Sequence, residues 1–229
     1  MDRLAVLEAT LRAHFPEEVS LAALSLDAAV PPLLPEEAPY AERAVPRRQQ
    51  ELAVGRYLAR RLLFERGVPW APLLRREDRT VVWPEGFVGS ISHTKDICVA
   101  AVARADEVPC LGVDIEASTV SAAIQPKILR PEEQAELSHL PAPELARRAT
   151  GVFSAKEAFY KAQYPTTETF LGFMDVRLTH EAQPQRVTVR VVRPGSPLLG
   201  LQLSGFLVEV DAWVASGFFG ACQTVDVDR

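Results

Sequence analysis

Leucines at positions 4, 7 and 11 recur at the spacing of one helical face, so the chain opens with an amphipathic helix, and residues 19–26 follow as an extended segment. Four prolines between residues 31 and 39 predict a loop. A long helix is predicted over 46–66, because Leu52, Gly55, Ala59, Leu62 and Leu63 share a face while Arg48, Arg56 and Arg60 lie off it; Gly67 and Pro69 stop it. Short β-rich or apolar runs at 81–82, 87–92, 97–103 and 111–116 predict four strands. A helix opened by Pro131, with Glu132 and Glu133 at its positive end, and a second over 144–163 ended by Pro165 come next. The last third returns to strands at 174–178, 185–192, 201–210 and 213–224, with Val187, Val189 and Val191 alternating against Thr188 and Arg190. Helix, strands, helices, strands is an α+β order rather than a regular βαβ alternation, with a join expected between residues 117 and 125.

Composition changes this picture little. With 48% hydrophobic and 24% charged residues in 229, the chain reads as soluble and globular, with enough length for one large domain or two compact halves. No apolar run reaches the ~18–20 residues of a membrane span and Met1-Asp2-Arg3-Leu4 does not read as a signal peptide, so the cytoplasm is the expected compartment. Cys98, Cys110 and Cys222 are far apart and lack C-x-x-C spacing; neither a disulfide framework nor a zinc site is suggested, and they read as small core residues.

Charge matters more. A net charge of −5 argues against general affinity for nucleic acid, yet residues 43–79 hold ten Arg against four acids. That segment is either a helix with a solvated basic face or a pocket for a polyanionic small molecule.

Three stretches carry candidate chemistry. In Leu111-Gly112-Val113-Asp114-Ile115-Glu116 the period of a strand puts both carboxylates on one face while Val113 and Ile115 bury on the other. Two such acids are either a solvated strand end or a cation site in a cleft. In Phe153-Ser154-Ala155-Lys156-Glu157-Ala158-Phe159-Tyr160-Lys161, Glu157 and Lys161 share a helix face, as an ordinary ion pair or as a paired holder of metal and phosphate. Gly89-Ser90-Ile91-Ser92-His93-Thr94 ends a strand where Ser92 and His93 can donate to a phosphate. A Ser-His-Asp hydrolase is a poor alternative, since there is no G-x-S-x-G elbow and Ser92 and His93 point to opposite faces of a strand.

Taken in order, Arg48 with Gly55-Arg56, Trp83-Pro84 with Gly89-Ser90-Ile91-Ser92-His93, Gly112-Val113-Asp114-Ile115-Glu116, and Phe153-Ser154-Ala155-Lys156-Glu157-Ala158 with Lys161 resemble the 4'-phosphopantetheinyl transferases of the enterobactin-synthetase and surfactin-synthetase type. The resemblance runs from about residue 46 to 175 and departs from the family pattern at Val81 and at Asp96-Ile97. It implies a monomer of two similar α+β halves, 1–117 for the coenzyme A nucleotide and 118–229 carrying the Lys156-Glu157-Ala158 helix, with the active site at their junction. It further implies transfer of the 4'-phosphopantetheine group of coenzyme A to a serine hydroxyl of an apo acyl or peptidyl carrier protein, with release of adenosine 3',5'-bisphosphate. Neither nucleic acid nor membrane is an expected partner.

The site residues follow from the same resemblance. Asp114, Glu116 and Glu157 would hold Mg²⁺, or Mn²⁺ in its place, and Glu157, Lys161 and Asp114 form the catalytic set, with Glu157 also the base for the serine. Lys156 and Lys161 would meet phosphate oxygens. Arg48 and Arg56, and more loosely Arg75 and Arg76, would hold the coenzyme A phosphates and nucleotide, with Ser92 and His93 beside them. Arg47, Arg60 and Arg61 are left as surface or carrier-facing charges. Two other readings use the same residues: a metal-dependent nucleotide hydrolase, and a coenzyme A- or carrier-binding module without turnover.

Overall fold

The computed structural model describes residues 2–183 and 185–225. Asp2 caps α1 (Arg3–His14) by accepting from Leu4 N at 3.1 Å, and the leucine stripe buries Leu7 and Leu11 completely. After β1 (Ser20–Ser25), the proline-rich loop leads into α2 (Pro46–Glu65), which opens on proline as a helix end allows. β2 (Phe87–His93) and β3 (Ile97–Arg104) form a hairpin, completing an antiparallel sheet ordered β1-β3-β2. The strand expected at 81–82 is only an isolated bridge from Val81 to Arg75.

The second sheet takes β4 (Cys110–Glu116), then, after α3 (Gln125–Ile128), α4 (Pro131–Leu137) and α5 (Ala142–Thr167), the strands β5 (Val176–His180), β6 (Arg186–Val191), β7 (Leu201–Val210) and β8 (Trp213–Gly220). Its order is β4-β8-β7-β6-β5, with the short β9 (Gln223–Thr224) on β7. The α+β architecture is as expected. Pro165 lies inside the last turn of α5 instead of ending it, and the helix stops at Glu168 in a left-handed conformation, φ 48. The join expected after residue 117 falls beyond β4, yet β4 takes its backbone ladder from β8, so Asp114 and Glu116 ride on the second sheet. Chain order placed β4 after its neighbours in sequence; hydrogen bonding placed it beside the strand that returns from the far end.

Alternation explains the layering. In β3, Ile97, Val99, Ala101 and Ala103 enter one core while Cys98, Ala100 and Val102 enter another against α2. In β4, Leu111, Val113 and Ile115 join the first core, which also holds Leu7 and Leu11 of α1 and Phe206 of β7. The opposite face of the second sheet is covered by α5 through Ala155, Ala158, Phe159 and Ala162.

Between the sheets, side chains replace a backbone ladder. Ser90 Oγ accepts from Val113 N at 3.0 Å, and Ser92 Oγ accepts from Ile115 N at 3.4 Å, a register that advances in parallel along β2 and β4. The two β2 hydroxyls satisfy backbone groups on the β4 edge, and α2 and α5 line opposite walls of a cleft.

Candidate active site

Close approach of α5 to β4 builds the acidic end of this cleft. A Cβ at Gly112 would sit 1.9 Å from Ala158 O and 2.8 Å from Ala162 N, so only glycine lets the helix lie this near the strand. On the same strand face, two residues on, Asp114 then meets Lys161, whose Nζ donates to Asp114 Oδ1 at 2.7 Å and to Val113 O at 3.3 Å. Ser92 Oγ donates to the same Oδ1 at 2.8 Å. Asp114 is only 3% exposed, and its other oxygen, Oδ2, is buried with no hydrogen-bond partner. A buried carboxylate oxygen left bare is costly unless a cation or donor arrives.

Glu116 and Glu157 feel that carboxylate. Glu116 is raised to about 7, first by burial and then by the Asp114 charge, with Glu157 adding to it and Lys161 opposing. Glu157 is raised by burial, opposed by Lys161 and reinforced by Asp114. The Asp114 charge thus raises both glutamates, and Lys161 offsets it only in part. Among the described residues, however, no three His, Cys, Asp or Glu side chains are drawn together closely enough to form a ready metal cage. Asp114 is turned to Lys161, and Glu116 lines a separate cavity of about 130 Å³.

The cleft itself is about 1100 Å³, walled by α2 on one side and by Glu157, Tyr160, Lys161 and Tyr164 of α5 on the other. Its floor is β2, where Gly89 leaves room for the Trp83 ring, 2.6 Å from where a Cβ would be. The basic lining comprises Arg48, Arg56 and Arg75, together with Arg43 and Arg79. Arg48 Nη1 stands 2.8 Å from His93 Nε2 and 2.9 Å from Glu51. Arg75 lies 4.9 Å over the Tyr40 ring. Arg56 is buried, its Nε has no partner, and burial pulls its basicity down while Glu37, 4.0 Å away, holds it up. Arg56 nonetheless lines the cleft, where a guanidinium can donate to an anion.

Four sequence-based expectations are corrected. Lys156 does not face the cleft: it is fully buried, donating to Glu133 at 2.7 Å, Ile128 O at 2.9 Å and Phe173 O at 3.0 Å. Lys156 and Lys161 are five residues apart, hence ~140° apart around a helix, and cannot both face one partner. Ser92 is buried with its hydroxyl committed to Asp114 and β4, so it orients the acid instead of meeting a phosphate. Arg76 lies outside the cleft lining, 3.7 Å from Glu168, because neighbouring residues in extended chain point to opposite sides and Arg75 takes the inner one. Arg60 is a core residue, paired with the fully buried Glu37, which also accepts from Leu34 N at 3.1 Å and Leu73 N at 2.8 Å.

Glu37, Arg43 and Arg79 were not singled out from sequence. The two arginines belong to the recognised basic segment, where nothing local says which guanidiniums turn inward. Glu37 sits in a proline-rich loop without periodicity, and only its burial marks it as the carboxylate that ties the loops on both sides of α2 to that helix.

Both halves of the cleft have known counterparts. The model of the 4'-phosphopantetheinyl transferase N-terminal domain matches residues 36–103, and that of the 4'-phosphopantetheinyl transferase superfamily matches 110–201. The chain is 36% identical over 176 residues to the 4'-phosphopantetheinyl transferase PptT of Mycobacterium tuberculosis, covering 75% of this chain and 77% of that one.

The chain belongs to the 4'-phosphopantetheinyl transferase superfamily.

It is also 37% identical over 180 residues to the 4'-phosphopantetheinyl transferase Svp of Streptomyces mobaraensis, covering 76% of this chain and 72% of Svp. Enterobactin synthase component D of Salmonella typhi is 36% identical over 138 residues, 58% of this chain and 55% of that protein. In this phosphopantetheinyl transferase the first matched segment supplies the arginine wall and the second supplies Glu157 and Lys161, with Asp114 held behind Lys161, so the cleft lies where the two segments face each other.

Proposed function

We propose that this phosphopantetheinyl transferase moves the 4'-phosphopantetheine group of coenzyme A to a serine hydroxyl of an apo acyl or peptidyl carrier protein, releasing adenosine 3',5'-bisphosphate. The observation that carries the reading is the bare Oδ2 of Asp114, oriented by Lys161 and Ser92, next to a cleft that Glu157 and Lys161 line together with several arginines. A substrate with phosphates at both ends of a nucleotide matches that lining.

The donor set fits a hard divalent cation, because the orphaned Oδ2 and the mutual repulsion of Asp114, Glu116 and Glu157 both call for positive charge. Asp114, Glu116 and Glu157 would hold Mg²⁺ or Mn²⁺, which when bound supplies charge against that developing on the pyrophosphate. Lys161, already at Asp114, neutralises phosphate oxygens from the α5 side. Arg48 and Arg56, with Arg75 beside them, hold the nucleotide phosphates through charge-assisted hydrogen bonds, and His93 lies against Arg48 at the same end. Glu157 takes the serine proton at a carboxylate oxygen, directly or through water, and burial raises its proton affinity in the direction a general base needs. The protein acts in this reading as a cytoplasmic monomer on a soluble carrier; no helix among the described residues is long and apolar enough to cross a membrane.

Intact-mass spectrometry of apo carrier proteins incubated with the chain, coenzyme A and Mg²⁺ tests this. The expected result is a gain of one phosphopantetheine per carrier, lost with EDTA and lost in a folded Glu157→Gln variant. Consumption of coenzyme A without carrier modification would instead identify a hydrolase, and binding without turnover a binding module.

A further inference from the structure

Two of the three thiols meet. Cys98 is sealed in the core under α2, where burial pushes it up to about 12. Cys110 opens β4 on the face turned to α5, and its ladder partner is Gly220, the last residue of β8. Two residues further on, Cys222 brings its sulfur to 3.2 Å from that of Cys110, while Thr166 Oγ1 of α5 lies 3.6 Å from the Cys110 sulfur. Cys222 lies beyond both matched family segments, and the transferase chemistry uses neither thiol.

We propose that Cys110 and Cys222 are an oxidation site, which a hydroperoxide closes into a disulfide joining the start of β4 to the chain beyond β8. Several features converge on this pair. Cys222 is only half-buried and sits in the unpaired two-residue link between β8 and β9, so its sulfur can close from 3.2 Å to the ~2.05 Å of a disulfide without breaking a ladder. Hydrogen bonds from Cys222 and Thr166 draw the Cys110 thiol down to about 6 against the opposing effect of burial, and the same contact pushes Cys222 up. One thiolate backed by a resolving thiol is the arrangement of a peroxide-sensitive pair.

The chemistry balances with hydrogen peroxide as the oxidant. The Cys110 thiolate sulfur forms a bond to one peroxide oxygen as the O–O bond breaks, and the other oxygen leaves with the electron pair as hydroxide. That hydroxide takes the Cys222 proton. The Cys222 sulfur then attacks the sulfenic sulfur, the S–S bond forms, the S–O bond breaks, and the departing hydroxide takes up the proton that Cys110 had released. Two thiols are oxidised and one peroxide is reduced to two waters. In a thiol-rich compartment the bond reopens by exchange.

The closed loop would span residues 110–222, enclosing α5 and the second sheet through β8. Closing so long a loop is expected to raise the melting temperature by about 5–15 °C.

The full chain is treated with hydrogen peroxide, quenched by alkylation in denaturant, and mapped by peptide mass spectrometry without reduction. The expected result is loss of two hydrogens, one Cys110–Cys222 cross-link, Cys98 still alkylated, and a melting-temperature rise reversed by dithiothreitol. Cys222→Ser should show no cross-link and no rise, and its Cys110 should be trapped by dimedone as a sulfenic acid. Three alkylatable thiols after excess peroxide, a cross-link through Cys98, or a cross-link only between chains would each overturn the proposal. None of these results depends on transferase activity, so failure here and failure of the transfer reaction are separable.

Discussion

Replacing Gly112 with alanine places a methyl carbon 1.9 Å from Ala158 O and 2.8 Å from Ala162 N, both backbone atoms of α5 that cannot rotate aside. A carbon next to a carbonyl oxygen needs ~3.3 Å, so the helix must withdraw by roughly 1.4 Å at this point. A shift of that size carries the 2.7 Å contact between Lys161 and Asp114 to about 4 Å, beyond hydrogen-bond reach. Overpacking of this kind costs about 1–3 kcal/mol, or a fall in melting temperature of roughly 2–12 °C. Displacing catalytic groups by ~1 Å lowers turnover by about 100-fold. The assay pairs initial rates of carrier modification at saturating coenzyme A with calorimetric melting. Gly151→Ala on the same helix is the control: the nearest atoms to its Cβ all belong to the Leu207 side chain, first Cδ2 at 3.0 Å, an end that can move. The control should keep its rate, because helix propensity gained offsets the small crowding. A folded Gly112→Ala variant turning over as fast as the parent would refute the claim that glycine at this position aligns the site.

Other expectations follow from the same geometry. Lys156→Met should destabilise by about 3–5 kcal/mol, because Glu133 would be left buried and unpaired, without changing coenzyme A affinity in the folded protein. Calorimetric melting and titration together decide this; weakened coenzyme A binding at unchanged stability would restore Lys156 to the phosphate site. Arg56→Ala should weaken coenzyme A binding by about 10- to 150-fold in calorimetric titration, the worth of a charge-assisted hydrogen bond of ~1.5–3 kcal/mol, and an unchanged affinity would remove Arg56 from the site. Glu116 is raised from 4.5 to about 7, so between these values the unfolded chain loses its proton while the folded one keeps it. Its contribution to stability therefore falls as pH rises through that window and levels off above about 7. Added Mg²⁺ should raise the melting temperature more above that pH than below it, and an equal gain on both sides would argue against Glu116 as a ligand.

Strand alternation, the leucine stripe of α1 and the proline-opened α2 are local properties of the chain, and they were legible because burial of one face imposes its period on the sequence. The paired acids of β4 and the Glu157–Lys161 spacing were legible for the same reason, as residues whose relative direction is set by the backbone they sit on. Local periodicity, however, fixes angles between neighbours and not which partner an element meets. Whether Lys156 or Lys161 faced the acids depended on the rotation of α5 against β4, set by the missing side chain at Gly112. Whether Ser92 met a phosphate or an aspartate depended on β2 lying beside β4, strands that share no backbone ladder. Glu37 became the carboxylate holding Arg60, and Cys222 the neighbour of Cys110, only when segments 23 and 112 residues apart were brought together. Local pattern along the chain set the elements, their faces and the types of group available to the chemistry. Which charged groups were desolvated and which faced the cleft came from packing between elements, because burial and pairing depend on contacts that no local pattern encodes.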